Sequence, residues 1–227
     1  MKLYCVLMCG GKGTRIKSSI GYKIEKPLLK IKDKPMIGYL INTIIQTYRF
    51  KKIFAAVSNN TQKTRQFIKY NFQNEITLLE TLGTEYSEDY VKIIKYFINT
   101  KYKQDIDPGK ILFIPTDLPL VSADILIQII NTQQEKPCLS VILEKEFIQN
   151  GGIIPTTYEV TINDKKYCYS GISLIDISKI DVNDYNSKEI QMIEEEYMIL
   201  NYTEIACNIN TSKDLETVEK IIEKLKA

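Results

Sequence analysis

The chain of 227 residues contains no histidine and no tryptophan. Without histidine there is no Ser-His-Asp or Cys-His nucleophile, no imidazole acid or base, and none of the common catalytic zinc sites. Carboxylates, lysine, arginine and oxygen-bound metals are left to carry any chemistry. The five cysteines are an odd number with irregular spacing and no C-x-x-C pair, so neither a disulfide framework nor a zinc motif is indicated. Cys5 and Cys9 fall on the same side of one strand, where packing is the simpler role. Charge of one sign is also missing. Thirty basic residues against 28 acidic ones leave a formal net charge of +2, which gives no ground for a nucleic-acid or membrane-surface partner. The apolar run Leu3 to Met8 is too short for a signal-peptide core and no run is long enough to span a bilayer, so a cytoplasmic protein is expected.

What is present is an ordinary globular composition, 44% hydrophobic and 26% charged. Lys2 to Cys9 is a continuous apolar run, the pattern of a strand buried on both faces of a parallel sheet. Helical spacing follows from Pro35 to Tyr48, then a strand over Lys52 to Ser58 and a helix to Phe72 with caps at Asn60 and Thr61. Further strands are expected at Ile76 to Leu79 and Ile111 to Ile114, with helices over Glu85 to Asn99 and from Ser122 to about Gln133. This alternation predicts a Rossmann-like α/β fold, a mixed, mostly parallel sheet flanked by helices, in one domain spanning 1–227. Beyond Pro137 the pattern turns to strands at Cys138 to Glu144, Tyr158 to Ile162 and Lys166 to Ile175, with a hairpin turn at Asn163-Asp164. A helix around Ser187 to Glu196, a strand near Glu204 to Cys207 and a helix from Ser212 to Leu225 complete the expectation.

The densest stretch is Cys9-Gly10-Gly11-Lys12-Gly13-Thr14-Arg15, followed by Glu25-Lys26-Pro27-Leu28. Its glycines let backbone turn sharply and approach a ligand closely, and Lys12, Arg15 and Lys26 bring positive charge to the same place. A P-loop is excluded because Gly11-Lys12 is followed by Gly13, and a dinucleotide fingerprint because Ile16 stands where its third glycine belongs. The stretch Lys17 to Lys26 does not read as a helix entering directly from the loop. A nucleoside triphosphate cradle is the remaining reading, with a glycine-rich turn that binds nothing as its alternative.

Outside this stretch, Asp117 follows a buried strand, where open α/β sheets place ligand chemistry, although a turn aspartate beside Pro119 would look the same. Asn208-Ile209-Asn210-Thr211 precedes the last helix and is equally suited to capping. In Gly83-Thr84-Glu85-Tyr86-Ser87-Glu88-Asp89 the carboxylates of Glu88 or Asp89 suit the N–H donors of guanine. They suit the first turn of a helix as well.

The glycine loop with Lys26-Pro27-Leu28 resembles the signature of the nucleotidyltransferases that include molybdenum-cofactor guanylyltransferases, and more narrowly the archaeal GTP:adenosylcobinamide-phosphate guanylyltransferases. The resemblance implies transfer of GMP from GTP to adenosylcobinamide phosphate with release of pyrophosphate. Gly10, Gly11, Lys12, Gly13, Thr14, Arg15 and Lys26 would then hold the triphosphate, with Gly83, Tyr86, Glu88 and Asp89 toward the base. Arg15, Lys26 and Asp117 would be catalytic, Mg2+ would sit on Asp117 and Asn208, and Ser170, Gly171 and Asn210 would face the acceptor. Another phosphorylated acceptor, CTP in place of GTP, or a GTP-binding protein without catalysis are the competing expectations.

Overall fold

A computed structural model describes residues 2–21, 24–102, 109–155, 158–180 and 193–226. The first strand, β1 (Leu3–Met8), shows why the chain needs helices on two sides. Successive residues of a strand point to opposite faces, and both faces of β1 are buried. Cys5, Leu7 and Cys9 join one apolar cluster, whereas Tyr4, Val6 and Met8 join another. The first cluster is covered by α2 (Met36–Gln46), α3 (Gln62–Asn71) and α5 (Ala123–Asn131). The second is covered by α4 (Tyr86–Tyr102), whose Ile93, Ile94 and Phe97 pack on Tyr4 and Phe54.

Around β1 lie β4 (Lys52–Val57) and β6 (Lys110–Pro115), both parallel to it, and β5 (Ile76–Glu80) extends the sheet beyond β4. A short antiparallel pair, β2 (Lys30–Ile31) and β3 (Lys34–Pro35), stands apart. The C-terminal half adds β7 (Cys138–Glu144), followed at once by α6 (Lys145–Asn150), then β8 (Glu159–Ile162), β9 (Lys165–Asp176) and β10 (Glu195–Ile199). Among the described residues the sheet has eight strands in the order β10-β7-β9-β6-β1-β4-β5, with β8 paired to β9. Within this sheet, only the pairs that involve β9 are antiparallel among the described residues. The mixed, mostly parallel sheet expected from the sequence is therefore present. The β8–β9 turn is the expected Asn163-Asp164, both residues at positive φ, the conformation a two-residue hairpin requires.

Three local expectations fail. A helix, α1 (Thr14–Ile20), does begin directly after the glycine loop, bracketed by left-handed Gly13 and Gly21. Seven residues are too few to display helical periodicity, and only Ile16 is fully buried. Glu195 and Glu196, expected in a helix, form the edge strand β10, while residues 187–192 of that expected helix lie outside the described set. An edge strand tolerates charge on its open side, which erases the apolar alternation. Conversely, the strand expected near Glu204 to Cys207 is a single helical turn, α7 (Thr203–Ala206).

The last helix, α8 (Ser212–Lys226), returns to the beginning of the chain. Val218 and Ile222, four residues apart and so on one face, pack with Ile16 of α1 and with Leu29, Ile31 and Met36. Ser19 and Ser212 exchange hydrogen bonds at the same junction. No described helix is long and apolar enough to cross a membrane.

Candidate active site

Because β1, β4, β5 and β6 run the same way, the loops that follow them meet at one rim. The chain leaves β1 toward β4 and β5 and later crosses back to β6, so strand order reverses between β1 and β6. That is where open α/β sheets form their ligand crevice. A cleft of about 260 Å³ lies there. Its lining brings together Gly10, Gly11, Gly13, Thr14, Arg15, Lys26, Gly83, Tyr86, Asp89, Asp117 and Asn210, all singled out from the sequence.

The chemistry converges on Lys26. Its ammonium donates to Asp117 Oδ2 at 2.6 Å and to Asn210 Oδ1 at 2.8 Å, with Lys26 and Asp117 each 17% exposed. Pro27 helps hold the lysine in a tight turn, residues Lys26–Leu28, in which the Leu28 and Leu29 amides donate back to Glu25 and Lys26. Asp117 is held through its main chain, where its carbonyl accepts from the Ile209 amide at 3.0 Å. Asn210 precedes α8, and Asp214 in the first turn of that helix accepts from the Asn210 and Thr211 amides at 2.9 and 2.8 Å. The capping expected of this segment is thus what aims Asn210 into the cleft.

The opposite wall is built from the loop after β5. Asp89 accepts from the Leu82 and Gly83 amides, so its carboxylate shapes that loop from within and is only 4% exposed. Tyr86 stacks on Tyr90 with ring centroids 6.0 Å apart, and its hydroxyl donates to the Gly171 carbonyl at 3.2 Å. Tyr86 lines the cleft together with Gly10, Gly11 and Gly13.

Five of the expected residues do not line this cleft. Lys12 is exposed, and its carbonyl accepts from Lys17. Glu88 turns to Thr84, whereas Glu85, not singled out, occupies the wall. Ser170 is buried between the Val141 carbonyl and the Ile172 amide. Gly171 sits at the bulge of β9 against Pro115. Asn208 faces two smaller depressions, one formed with Gly152, Ile153 and Lys213 and one with Ile154, Pro155 and Tyr169. The residue placed beside Asp117 is Asn210, two positions further on. Cys9 also reaches the cleft, but burial pushes its thiol far up, and it remains a neutral packing group.

The positions sequence reasoning missed lie behind the cleft. Ser58 donates to the Gly10 carbonyl at 2.8 Å, and Asn60 donates to the Gly10 and Gly83 carbonyls at 3.4 and 2.8 Å. Glu25 accepts from the Lys63 and Thr64 amides and from the Thr64 hydroxyl at 2.6 to 2.8 Å. Their only sequence signals were a capping-type cluster after β4 and the acidic residue before Lys26.

A glycine loop and a lysine-aspartate pair at the switch point of such a sheet define a nucleotidyltransferase type of site. The chain matches the MobA-like NTP transferase domain over residues 5–158 and belongs to that family. It is 26% identical over 233 residues to the adenosylcobinamide-phosphate guanylyltransferase of Methanocaldococcus jannaschii, covering 96% of this chain and 97% of that protein. A D-glycero-alpha-D-manno-heptose 1-phosphate guanylyltransferase of Campylobacter jejuni is 29% identical over 122 residues, covering 48% of this chain and 52% of its own. In three dimensions the fold is shared with a 4-diphosphocytidyl-2C-methyl-D-erythritol synthase of Anaerococcus prevotii, at a TM-score of 0.65 and 11% identity over 98% of both chains. The protein is a nucleotidyltransferase.

Proposed function

We propose that the protein transfers GMP from GTP to adenosylcobinamide phosphate, releasing pyrophosphate. The observation that carries this reading is the convergence of Lys26, Asp117 and Asn210 opposite the glycine loop, in a chain that aligns almost end to end with the guanylyltransferase named above.

In this reading an oxygen of the acceptor phosphate attacks the α-phosphorus of GTP, and the bond from that phosphorus to the β-phosphate bridging oxygen breaks. A phosphate monoester has a second pKa near ~6, so the acceptor is already a dianion at neutral pH. No histidine is needed to activate it. The amides of Gly10, Gly11 and Gly13 face the triphosphate, and Arg15 and Lys26 offset the charge that accumulates on the departing pyrophosphate.

The residues present fit a magnesium ion. The Asp117 and Asn210 oxygens already converge on one cationic group, the Lys26 ammonium, and hard oxygen donors with room for water suit this metal. Among the described residues there is no cluster of three or more histidine, cysteine or acidic side chains that could hold a metal. Asp117 and Asn210 would hold a magnesium ion, which would supply positive charge against the phosphate oxygens. On the base side the Tyr86 ring provides a stacking face and Glu85 replaces Glu88 as the carboxylate on the wall. A cytoplasmic location belongs to the same proposal.

The test is pyrophosphate release from purified protein given magnesium, adenosylcobinamide phosphate and each nucleoside triphosphate in turn. Release with GTP well above the others is expected. Turnover with CTP and not GTP overturns the guanylyl assignment. Tight GTP binding without release for any phosphorylated acceptor makes this a binding protein.

A further inference from the structure

The turn that joins β4 to α3 and the first residues of that helix, together residues 58–64, line no part of the cleft, yet they touch three separate segments that do. Ser58, Thr61 and Thr64 are fully buried polar residues, and buried polar groups must find partners. Thr61 satisfies the turn itself, its hydroxyl accepting from the Ser58 amide. Ser58 Oγ accepts from the Asn60 amide within the turn, and Ser58 and Thr64 also bond outside it. Ser58 and Asn60 hold the Gly10 carbonyl, Asn60 also holds the Gly83 carbonyl, and the amides of Lys63 and Thr64 with the Thr64 hydroxyl hold Glu25, the residue before Lys26. A β-carbon added to Gly83 would collide with Ser58 Oγ and lie 2.6 Å from both Asn60 Nδ2 and the Gly10 carbonyl oxygen. The three segments are closed on the turn without slack.

We infer that this turn is the positioning element of the nucleotide site. Ser58 and Asn60 set the distance between the glycine loop and the loop after β5, and the Glu25–Thr64 contact sets the aim of Lys26. None of these side chains touches substrate. The Glu25 carboxylate is suited to its task because the first amides of a helix lack intrahelical acceptors and favour negative charge. It therefore anchors the lysine's backbone to α3, an element whose Ile68 is fully buried in the core. Lys26 reaches its partners from a fixed base on an otherwise flexible stem.

The inference rests on the nucleotide reading of the cleft, and its test separates the two. Glu25→Ala is expected to lower kcat/KM for GTP on the order of ten- to a hundredfold, the usual effect of a misplaced group, mainly through KM. Glu25→Gln, which keeps one acceptor oxygen, recovers part of the loss. Combined with Lys26→Ala, Glu25→Ala should add nothing, because its effect passes through that lysine. In Asn60→Ala, amide hydrogen exchange of residues 10–13 should accelerate while β1 and β6 exchange as in the wild type. Additive losses on the Lys26→Ala background, or unchanged exchange at residues 10–13 in Asn60→Ala, overturn the inference. If the wild-type protein neither binds nor turns over GTP, the functional reading fails, and the exchange experiment still decides the positioning role.

Discussion

In the part of the sheet formed by β1, β4, β5 and β6 every strand runs the same way, so each delivers its following loop to one rim. In the other part β9 runs against β6 and β7 and passes that rim in mid-strand. Its contribution there is a bulge, where Gly171 at φ 84° packs on Pro115 and offers its carbonyl to Tyr86. Parallel strands concentrate loops, and loops concentrate ligand groups. An antiparallel strand supplies a wall. The loops that line the cleft accordingly gather in the first half of the sheet, and the second half meets them through β9 and the segment before α8.

The sharpest way to break this division is at Asp117. Asp117→Asn should lower turnover by a factor on the order of 10² to 10³, the usual size for one preorganised electrostatic group, with the melting temperature nearly unchanged. Both are read by pyrophosphate release and thermal unfolding. Normal activity would remove Asp117 from the chemistry.

The next largest effect concerns Lys26. Lys26→Ala should lose about ten- to a hundredfold in kcat/KM, since one close charge is worth on the order of 1.5–3 kcal/mol as a charged hydrogen bond. The loss should appear in the KM for the nucleotide and leave the KM for the acceptor unmoved, which a two-substrate kinetic analysis separates.

Two glycines test rigidity on the two sides. Gly83 and Gly152 both have positive φ, 67° and 71°, but a β-carbon at Gly83 meets three atoms within 2.6 Å and one at Gly152 meets none within 4 Å. Gly83→Ala should cost about 2–4 kcal/mol, combining left-handed strain with overpacking, and Gly152→Ala about 1–2 kcal/mol from strain alone. Denaturant unfolding measures both, and equal costs would mean that the cleft-side loops are not closely fitted.

The smallest effect is chemical. All five cysteines are free and buried, and burial pushes the Cys207 thiol up to about 11. A raised pKa keeps the thiol protonated through neutral pH, so the native protein should resist alkylation at pH 7 to 8 and react fully only when unfolded, as mass spectrometry would record.

The same division explains what the sequence disclosed. β1, the glycine loop and Asp117 were legible because strand, turn and strand-end position are local properties, written in consecutive residues. Asn210 was harder, since the hydrogen bond that gives it meaning spans 184 positions to Lys26. The sequence favours Asn208 over Asn210 as the metal contact, both being asparagines before a helix, whereas in the structure it is Asn210 that lines the cleft and accepts from Lys26. Asp89 suits either guanine or the first turn of a helix on sequence grounds, and the structure puts it in the first turn of α4 with its carboxylate accepting from the Leu82 and Gly83 amides. β10 was hidden because glutamates at an edge look helical, and α1 because two left-handed glycines enclose only seven residues.

The contact between α1 and α8 has a consequence for how the protein is made. The helix that carries Thr14 and Arg15 rests on Val218 and Ile222, and Asn210 of the Lys26 constellation also comes from the last fifth of the chain. Domains emerge from the ribosome N-terminal end first, so the glycine loop is synthesised early and waits for its support. A nascent chain that ends before α8 has the glycine loop's sequence without the apolar support that Val218 and Ile222 give α1.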